Sequence, residues 1–166
     1  MIISLTGTPG TGKTSVAEKL AEKGFRTIDL TEFAKQKKLG EQREEFEVDT
    51  EKMVGELQEE LNRAEDTVIE GHLSHRFPAD FCIVLRCRPD QLEERLEKRD
   101  YSQEKVEENM ESEALDLILQ QAVEEQKKII EIDTTDREPG EVAEKIIEKI
   151  ENDETGYGNV DWTSYL

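Results

Sequence analysis

The sequence predicts an α/β fold in which a five-stranded parallel sheet is flanked by helices on both faces. Short apolar segments of strand length alternate along the chain with segments of helical periodicity. The first apolar segment leads directly into the glycine-rich motif G-T-P-G-T-G-K-T at residues 7–14. This order of strand, loop and helix is typical of a P-loop NTPase. The length of 166 residues suits one domain.

Five segments have the length and composition of buried strands, and they lie at 1–5, 25–30, 67–70, 81–86 and 128–132. Helical spacing follows the first strand and recurs at 31–38, 50–63 and 102–126, with further helices opened by Pro89 and Pro139. We expect Thr31 to cap the helix at 31–38 and Gly40 to end it.

The glycine-rich motif provides the chemistry of a phosphate site. Glycines allow successive backbone N–H groups to face phosphate oxygens, and the following helix adds its free N-terminal amides. We expect Gly10, Gly12, Lys13, Thr14 and Ser15 to hold the nucleotide. Lys13 should reach the β- and γ-phosphates, and the Thr14 hydroxyl should ligate Mg²⁺. The alternative is a glycine-rich turn without a ligand, which the full match in context disfavours.

The chain is strongly acidic, with 41 Asp and Glu against 22 Lys and Arg, a net charge of −19. Charged residues make up 38% of the chain, against about 25% in a typical domain. Such a surface repels nucleic acid, so no direct nucleic-acid partner is expected. Adaptation to a salty cytoplasm explains the spread of this charge better than a docking face for a basic partner, which could still operate locally.

Cysteine usage and hydropathy exclude several classes. Cys82 and Cys87 lie on one predicted strand at an odd separation, so they face opposite sides and cannot bridge. Two cysteines and two histidines cannot form a four-cysteine zinc cluster, so any lid should be metal-free. No segment approaches the roughly 20 apolar residues of a membrane span, and the P-loop begins where a signal peptide would be cleaved. We therefore expect a cytoplasmic protein with no membrane partner.

Other features select among P-loop proteins. The chain lacks the Asn-Lys-x-Asp string of GTPases, and motor or transporter ATPases are usually longer. The helices at 31–63 lie where a nucleoside-monophosphate kinase has its acceptor-binding arm. Arg95 and Arg99 lie four residues apart on a helix, where two guanidinium groups could clamp phosphate oxygens. Alternatively, they are solvated partners of neighbouring glutamates.

Several segments together resemble the adenylate kinase isoenzyme six family in its archaeal form. They are the P-loop, E-G-H at 70–72, V-L-R at 84–86, L-E-E-R-L-E-K-R-D-Y-S at 92–102 and K-V-E-E-N at 105–109. The resemblance runs from residue 2 to about residue 150. It implies a nucleoside-monophosphate kinase domain at 1–152, with an acceptor arm at about 28–51 and a short lid at about 99–109, followed by a tail at 153–166.

What the resemblance implies for activity is transfer of a phosphoryl group from MgATP to AMP, together with an ATPase activity. It also implies a role in ribosome biogenesis, in rRNA processing late in maturation of the small subunit, through transient binding of small-subunit ribosomal protein eleven. Lys13 and Arg99 would then stabilise the transferring group. His72 would orient water for ATP hydrolysis, or would simply form a hydrogen bond at a strand end.

Two positions depart from the family pattern. Glu70 replaces the usual aspartate, so the carboxylate that would help to hold Mg²⁺ extends one methylene further. Lys35 stands where we expect an arginine, and it replaces a bidentate fork with a single point of contact. Lys35 and Arg43 are the candidates for the acceptor phosphate.

Two rival functions stay open. One is an assembly ATPase whose kinase turnover is incidental, and the other is a kinase of a non-nucleotide small molecule. The last residues, including Trp162 and Tyr165, could dock on the body or on a partner, although a loose terminus is slightly favoured.

The acidic composition generates a prediction about salt. The free energy of unfolding should rise as KCl is increased to molar concentrations, because screening removes the repulsion among the 41 carboxylates. Chemical denaturation at a series of KCl concentrations measures it. Stability that does not change with salt would contradict adaptation to a salty cytoplasm.

Overall fold

The computed structural model of the protein describes residues 1–42, 46–61 and 65–166. The strands are β1 (Ile2–Gly7), β2 (Arg26–Asp29), β3 (Gly40–Gln42), β4 (Phe46–Val48), β5 (Thr67–Glu70), β6 (Phe81–Arg86) and β7 (Ile129–Asp133). Five of them form a wholly parallel sheet in the order β2-β5-β1-β6-β7. The predicted α/β fold with its five-stranded sheet is confirmed.

Helices connect the strands and cover both faces of the sheet. They are α1 (Lys13–Glu22), α2 (Leu30–Gln36), α3 (Thr50–Glu60), α4 (Pro89–Glu97), α5 (Gln103–Ala114), α6 (Leu117–Glu125) and α7 (Pro139–Glu151), with short 3₁₀ turns at Ser74–Arg76 and Thr163–Tyr165. Successive side chains of each strand point to opposite faces of the sheet, so the apolar side chains form two separate layers. Ile3 and Leu5 pack with α1 and α7 on one face, whereas Ile2 and Ile69 pack with α2 and α3 on the other.

Helix α2 begins and ends differently from the prediction. Its N-cap is Asp29, whose carboxylate accepts a hydrogen bond from the Glu32 amide at 3.0 Å, and not Thr31. The chain then leaves the helix through Lys38, which has a left-handed backbone with φ of 55°, so Gly40 is not the stop. Aspartate caps a helix at least as well as threonine, and the last residue of a strand has the extended backbone that a cap requires.

The long helix predicted at 102–126 is two helices, α5 and α6. Asp116 separates them with a left-handed φ of 58°, and its carboxylate is bound by the guanidinium of Arg86. The same guanidinium donates to the carbonyl oxygen of Glu113 at 2.9 Å, which satisfies a group at the end of α5. The continuous apolar stripe therefore does not imply a continuous helix.

Strands β3 and β4 were not predicted. They form an antiparallel pair in which Gly40 lies opposite Val48 and Gln42 lies opposite Phe46. The sequence of this segment is polar and acidic, a composition that disfavours strands. Residue Arg43, a candidate for the acceptor phosphate, lies outside the described residues.

The C-terminal tail extends the sheet at its β7 edge, so its interpretation as a loose terminus is wrong. The Gly156 amide donates to the Ile129 carbonyl oxygen at 2.8 Å, and the Glu131 amide donates to the Gly156 carbonyl oxygen at 3.0 Å. The amides of Gly158 and Asn159 both donate to Oε2 of Glu131, at 2.7 and 3.0 Å. These four bonds hold the tail on the edge strand.

Cys82 and Cys87 are free thiols, as their spacing predicts, and the structure buries both of them. Within the described part of the chain, no helix combines the length and the apolar character needed to cross a bilayer.

The short 3₁₀ turn at Ser74–Arg76 carries a buried histidine. His75 is fully buried, and its Nδ1 lies 3.0 Å from the Thr6 hydroxyl. That hydroxyl donates its hydrogen to the carbonyl oxygen of His72 at 3.2 Å. Its oxygen can therefore accept a hydrogen bond from the Nδ1–H of a neutral imidazole. Burial, reinforced by the nearby positive charge of Arg76, lowers the pKa of His75 from 6.5 to about 4.

His75 should make the fold sensitive to acid. In the unfolded chain His75 is protonated below its ordinary pKa of 6.5, whereas in the folded protein it stays neutral until about pH 4. The free energy of unfolding therefore falls as the pH decreases across this window. From about pH 7.5 to about pH 5, the wild type should lose about 2 kcal/mol more unfolding free energy than His75→Asn. Asparagine keeps an N–H donor near Nδ1 without titrating. Equal losses, measured by denaturant titration, would contradict this assignment.

Candidate active site

A polar cleft opens at the carboxyl ends of β1, β2 and β5, where ligands bind in sheets of this type. Its lining residues are Pro9, Gly10, Gly12, Lys13, Thr14, Asp29, Thr31, Glu70, Gly71, His72, Arg99 and Tyr101. The P-loop forms one wall of this cleft, and residues that follow β2 and β5 form the facing wall.

The P-loop connects β1 to α1 through a backbone that only glycine tolerates easily. Gly10 has φ of 90°, and a Cβ added there would lie 2.8 Å from Cδ1 of Leu92 on α4. Gly12 has φ of 99° and forms the N-cap of α1, so the free amides of that helix open into the cleft. Backbone conformation therefore favours glycine at both positions, and the packing of α4 also excludes a side chain at Gly10.

Lys13 folds back over its own loop. Its Nζ donates to the carbonyl oxygens of Gly7 at 2.7 Å and Thr8 at 3.1 Å. Burial lowers the pKa of Lys13 from 10.5 to about 8, with Arg99 acting in the same direction and the negative charge of Glu70 opposing it. The hydrogen bonds that Nζ makes are to neutral carbonyl oxygens, and an anionic phosphate would stabilise its charge more strongly.

Three side chains that could offer oxygen ligands to a metal, those of Thr14, Asp29 and Glu70, line the cleft with Lys13. The Thr14 hydroxyl donates to Oε1 of Glu70 at 3.1 Å. Asp29 is the register partner of Glu70 at the ends of β2 and β5, so the two carboxylates lie at the same edge of the sheet. Burial raises the pKa of Glu70, and the negative charge of Asp29 raises it further. Two carboxylates and a hydroxyl beside a phosphate loop fit the oxygen preference of Mg²⁺.

Two arginines approach the P-loop by different routes. Arg95 lies on α4, and its NH1 donates to the Gly10 carbonyl oxygen at 3.2 Å while NH2 donates to Gln91 at 2.8 Å. Arg99 is exposed in the turn after α4 and lines the cleft. The prediction that both project from one helix face is wrong, because α4 ends at Glu97 and Arg99 follows its cap.

The remaining predicted site residues have different placements. His72 is exposed and lines the cleft two residues after Glu70. Ser15 is an exposed residue of α1 outside the lining set. Lys35 is exposed on α2, pairs with Glu32 at 3.8 Å, and is not among the residues that line the cleft.

Asp29, Thr31 and Tyr101 line the cleft although none was predicted as a site residue. Asp29 has a recognisable signal, because it ends a predicted strand next to the strand that ends at Glu70. Parallel strands align their carboxyl ends, so both carboxylates can be expected at one edge. Tyr101 follows a turn through Asp100, whose φ of 59° no local pattern indicates.

Comparison with known proteins shows the family of this chain. The family model described as AAA domain matches residues 3–116. A Pyrococcus furiosus protein named “Putative adenylate kinase” is 45% identical over 166 residues, which cover 98% of this chain and 92% of that protein. A Methanocaldococcus jannaschii protein of the same name is 40% identical over 168 residues, with 98% and 93% coverage.

Solved structures show the same fold at low identity. Shikimate kinase from Acinetobacter baumannii in complex with shikimate superposes with a TM-score of 0.66 at 18% identity, over 92% of this chain and 93% of that one. The YorR protein of Bacillus subtilis in complex with phosphorylated GDP gives a TM-score of 0.64 at 17% identity, over 95% and 100%. The fold is therefore that of P-loop kinases.

Proposed function

We propose that this chain, which belongs to the family of archaeal AAA-domain proteins that carry the name adenylate kinase, transfers the γ-phosphate of ATP to AMP or a related nucleoside monophosphate. The observation that carries the proposal is the cleft with two walls. A phosphate loop forms one wall, and the carboxyl ends of β2 and β5 form the facing wall, where the second substrate would bind. Family membership supports a nucleotide-binding phosphotransferase, and the adenylate acceptor is the finer part of the proposal.

The donor half of the cleft would hold ATP through the loop. Gly10 and Gly12 give the loop the left-handed backbone that would wrap the phosphates, and Lys13 would exchange its loop carbonyls for the β- and γ-phosphate oxygens. Ser15 contributes its backbone amide in the first turn of α1. Arg99 would close over the transferring group, where charge spreads onto the equatorial oxygens.

Thr14, Glu70 and Asp29 would hold the Mg²⁺ that accompanies ATP. The ion would neutralise phosphate charge and orient the β- and γ-phosphates. The elevated pKa of Glu70 follows from burial and from Asp29, and a divalent cation between the two carboxylates would favour their ionised forms.

The acceptor needs no general base, because a phosphate monoester is already anionic near neutral pH. Catalysis then consists of positioning and charge stabilisation. We assign the acceptor arm to about 28–51, with Lys35 and Arg43 as phosphate contacts, and the lid to about 99–109. The kinase domain would comprise residues 1–152, and residues 153–166 would form the tail.

The position of His72 favours a second activity, ATP hydrolysis. It lines the cleft beside Glu70, where it could orient a water toward the γ-phosphate. An ATPase cycle of this kind suits a cytoplasmic role in ribosome biogenesis, with small-subunit ribosomal protein eleven as a transient partner. The net charge of −19 would attract a basic ribosomal protein.

The proposal predicts that the purified protein converts ATP and AMP into two ADP. Lys13→Ala should reduce kcat/KM by at least about 100-fold, because it removes a cation that stabilises charge on the transferring phosphoryl group. Lys19→Ala is the matched control, since Lys19 lies on the same helix but pairs with Glu22 at 2.8 Å outside the cleft. A coupled assay with and without AMP measures both.

The same assay separates the alternatives. Hydrolysis of ATP without consumption of AMP would contradict the kinase and favour the assembly ATPase. Transfer to a non-nucleotide alcohol in preference to every nucleoside monophosphate would indicate a small-molecule kinase.

The oxygen donors generate a prediction about magnesium. Glu70→Gln should raise the Mg²⁺ concentration for half-maximal activity by about tenfold or more, because a carboxylate that holds the ion or its water becomes a neutral amide. Glu22→Gln, on the exposed side of α1, provides the control. Titration with Mn²⁺ in the presence of ATP, followed by electron paramagnetic resonance, measures the affinity directly. An unchanged metal affinity would remove Glu70 from the site.

A further inference from the structure

Glu113 is a buried carboxylate to which the sequence assigns no role. It is 2% exposed and lies near the end of α5. Its Oε1 accepts hydrogen bonds from Nε of Arg86 at 2.8 Å and from the Cys87 amide at 3.0 Å. Its Oε2 accepts from the Thr8 hydroxyl at 2.6 Å. One carboxylate therefore joins a helix, the end of β6 and the P-loop.

Thr8 is fixed at both its hydroxyl and its carbonyl. While the hydroxyl binds Glu113, the carbonyl oxygen accepts from Nζ of Lys13 at 3.1 Å, from the Thr11 amide at 3.2 Å and from the Thr11 hydroxyl at 2.8 Å. Rotation of Thr8 would disturb all three of these contacts. Glu113 is thus separated from Lys13 by a single residue of the loop.

The positive charge of Arg86 would have carboxylate partners even without Glu113. The guanidinium also binds Asp116 and Glu131, the latter at 2.7 Å. Three carboxylates around one cation leave surplus negative charge, and Oε2 of Glu113 directs part of it at the loop. A carboxylate that serves only as an ion-pair partner has no need to bind a loop hydroxyl.

We propose that Glu113 is a positioning residue for the P-loop, acting through Thr8 to hold the loop backbone and its amides where they receive the triphosphate. Helix α5 carries this contact and begins just after the turn that holds Arg99 and Tyr101. The inference deepens the proposed function and rests on it, since it concerns the donor half of the same cleft.

The first test removes the loop contact and keeps the buried ion pairs. Thr8→Val should lower kcat/KM for ATP by at least about 30-fold while KM for AMP stays within about twofold, because the donor loop alone is displaced. Thr8→Ser restores the hydroxyl and should recover most of this loss. Glu131→Gln is the matched control, since it removes another Arg86 partner that does not touch the loop, and should keep kcat/KM for ATP within about twofold.

The second test asks whether Glu113 and Thr8 act through one bond. Glu113→Gln and the double variant with Thr8→Val should lose about as much kcat/KM for ATP as Thr8→Val alone, because the single contact can be lost only once. Independent, multiplicative losses would overturn the proposal. A Thr8→Val enzyme with unchanged kcat/KM, or a Glu131→Gln enzyme with an equal loss, would also overturn it. If Glu113→Gln fails to fold, the Thr8 and Glu131 variants still decide.

A binding measurement separates this inference from the kinase proposal. The dissociation constant of a fluorescent ATP analogue should rise at least about tenfold in Thr8→Val and recover in Thr8→Ser, whether or not AMP is the acceptor. If the wild type consumes no AMP, the kinase proposal fails and this titration still tests Glu113. An unchanged dissociation constant in Thr8→Val would overturn the role of Glu113.

Discussion

The buried guanidinium of Arg86 holds three parts of the structure to the end of β6. It binds Glu113, which reaches the P-loop, Asp116, which separates α5 from α6, and Glu131, which receives the amides of the tail. Arg86 itself is 1% exposed, so its charge depends on these partners for stabilisation. Removing one side of a buried ion pair costs about 3–5 kcal/mol, because the other charge is left without compensation. The loop, the helix break and the tail therefore depend on one charged group.

Burial disfavours the charged forms of both a lysine and a glutamate at this edge of the sheet. Lys13 is pulled toward its neutral form by desolvation, and Glu70 is pulled toward its neutral form by desolvation and by Asp29. Each of these costs would be relieved by a ligand of the opposite sign, a phosphate for Lys13 and a divalent cation for the carboxylates. A magnesium nucleotide supplies both charges together. We infer that the binding of such a ligand would stabilise Lys13 and the two carboxylates in their ionised forms.

Local signals predicted much of this arrangement, and long-range contacts account for the errors. The bounds of β5 and β6, the prolines that open α4 and α7, and the P-loop geometry follow from neighbouring residues alone. The break at Asp116 does not, because its left-handed backbone is stabilised by Arg86 from a distant strand. The docked tail likewise depends on Glu131, a partner that its polar composition cannot reveal. Asp29 was missed because its role arises from alignment with Glu70 across the sheet.

The central claim is that one cleft binds a donor and an acceptor nucleotide side by side. The most direct measurement is calorimetric binding of a bisubstrate analogue in which two adenosines are joined by five phosphates. A two-nucleotide site predicts one analogue per chain, bound at least about 100-fold more tightly than ATP, because the second nucleotide binds without a second loss of translational freedom. An affinity no greater than that of ATP, or binding that excess AMP cannot weaken, would contradict the claim.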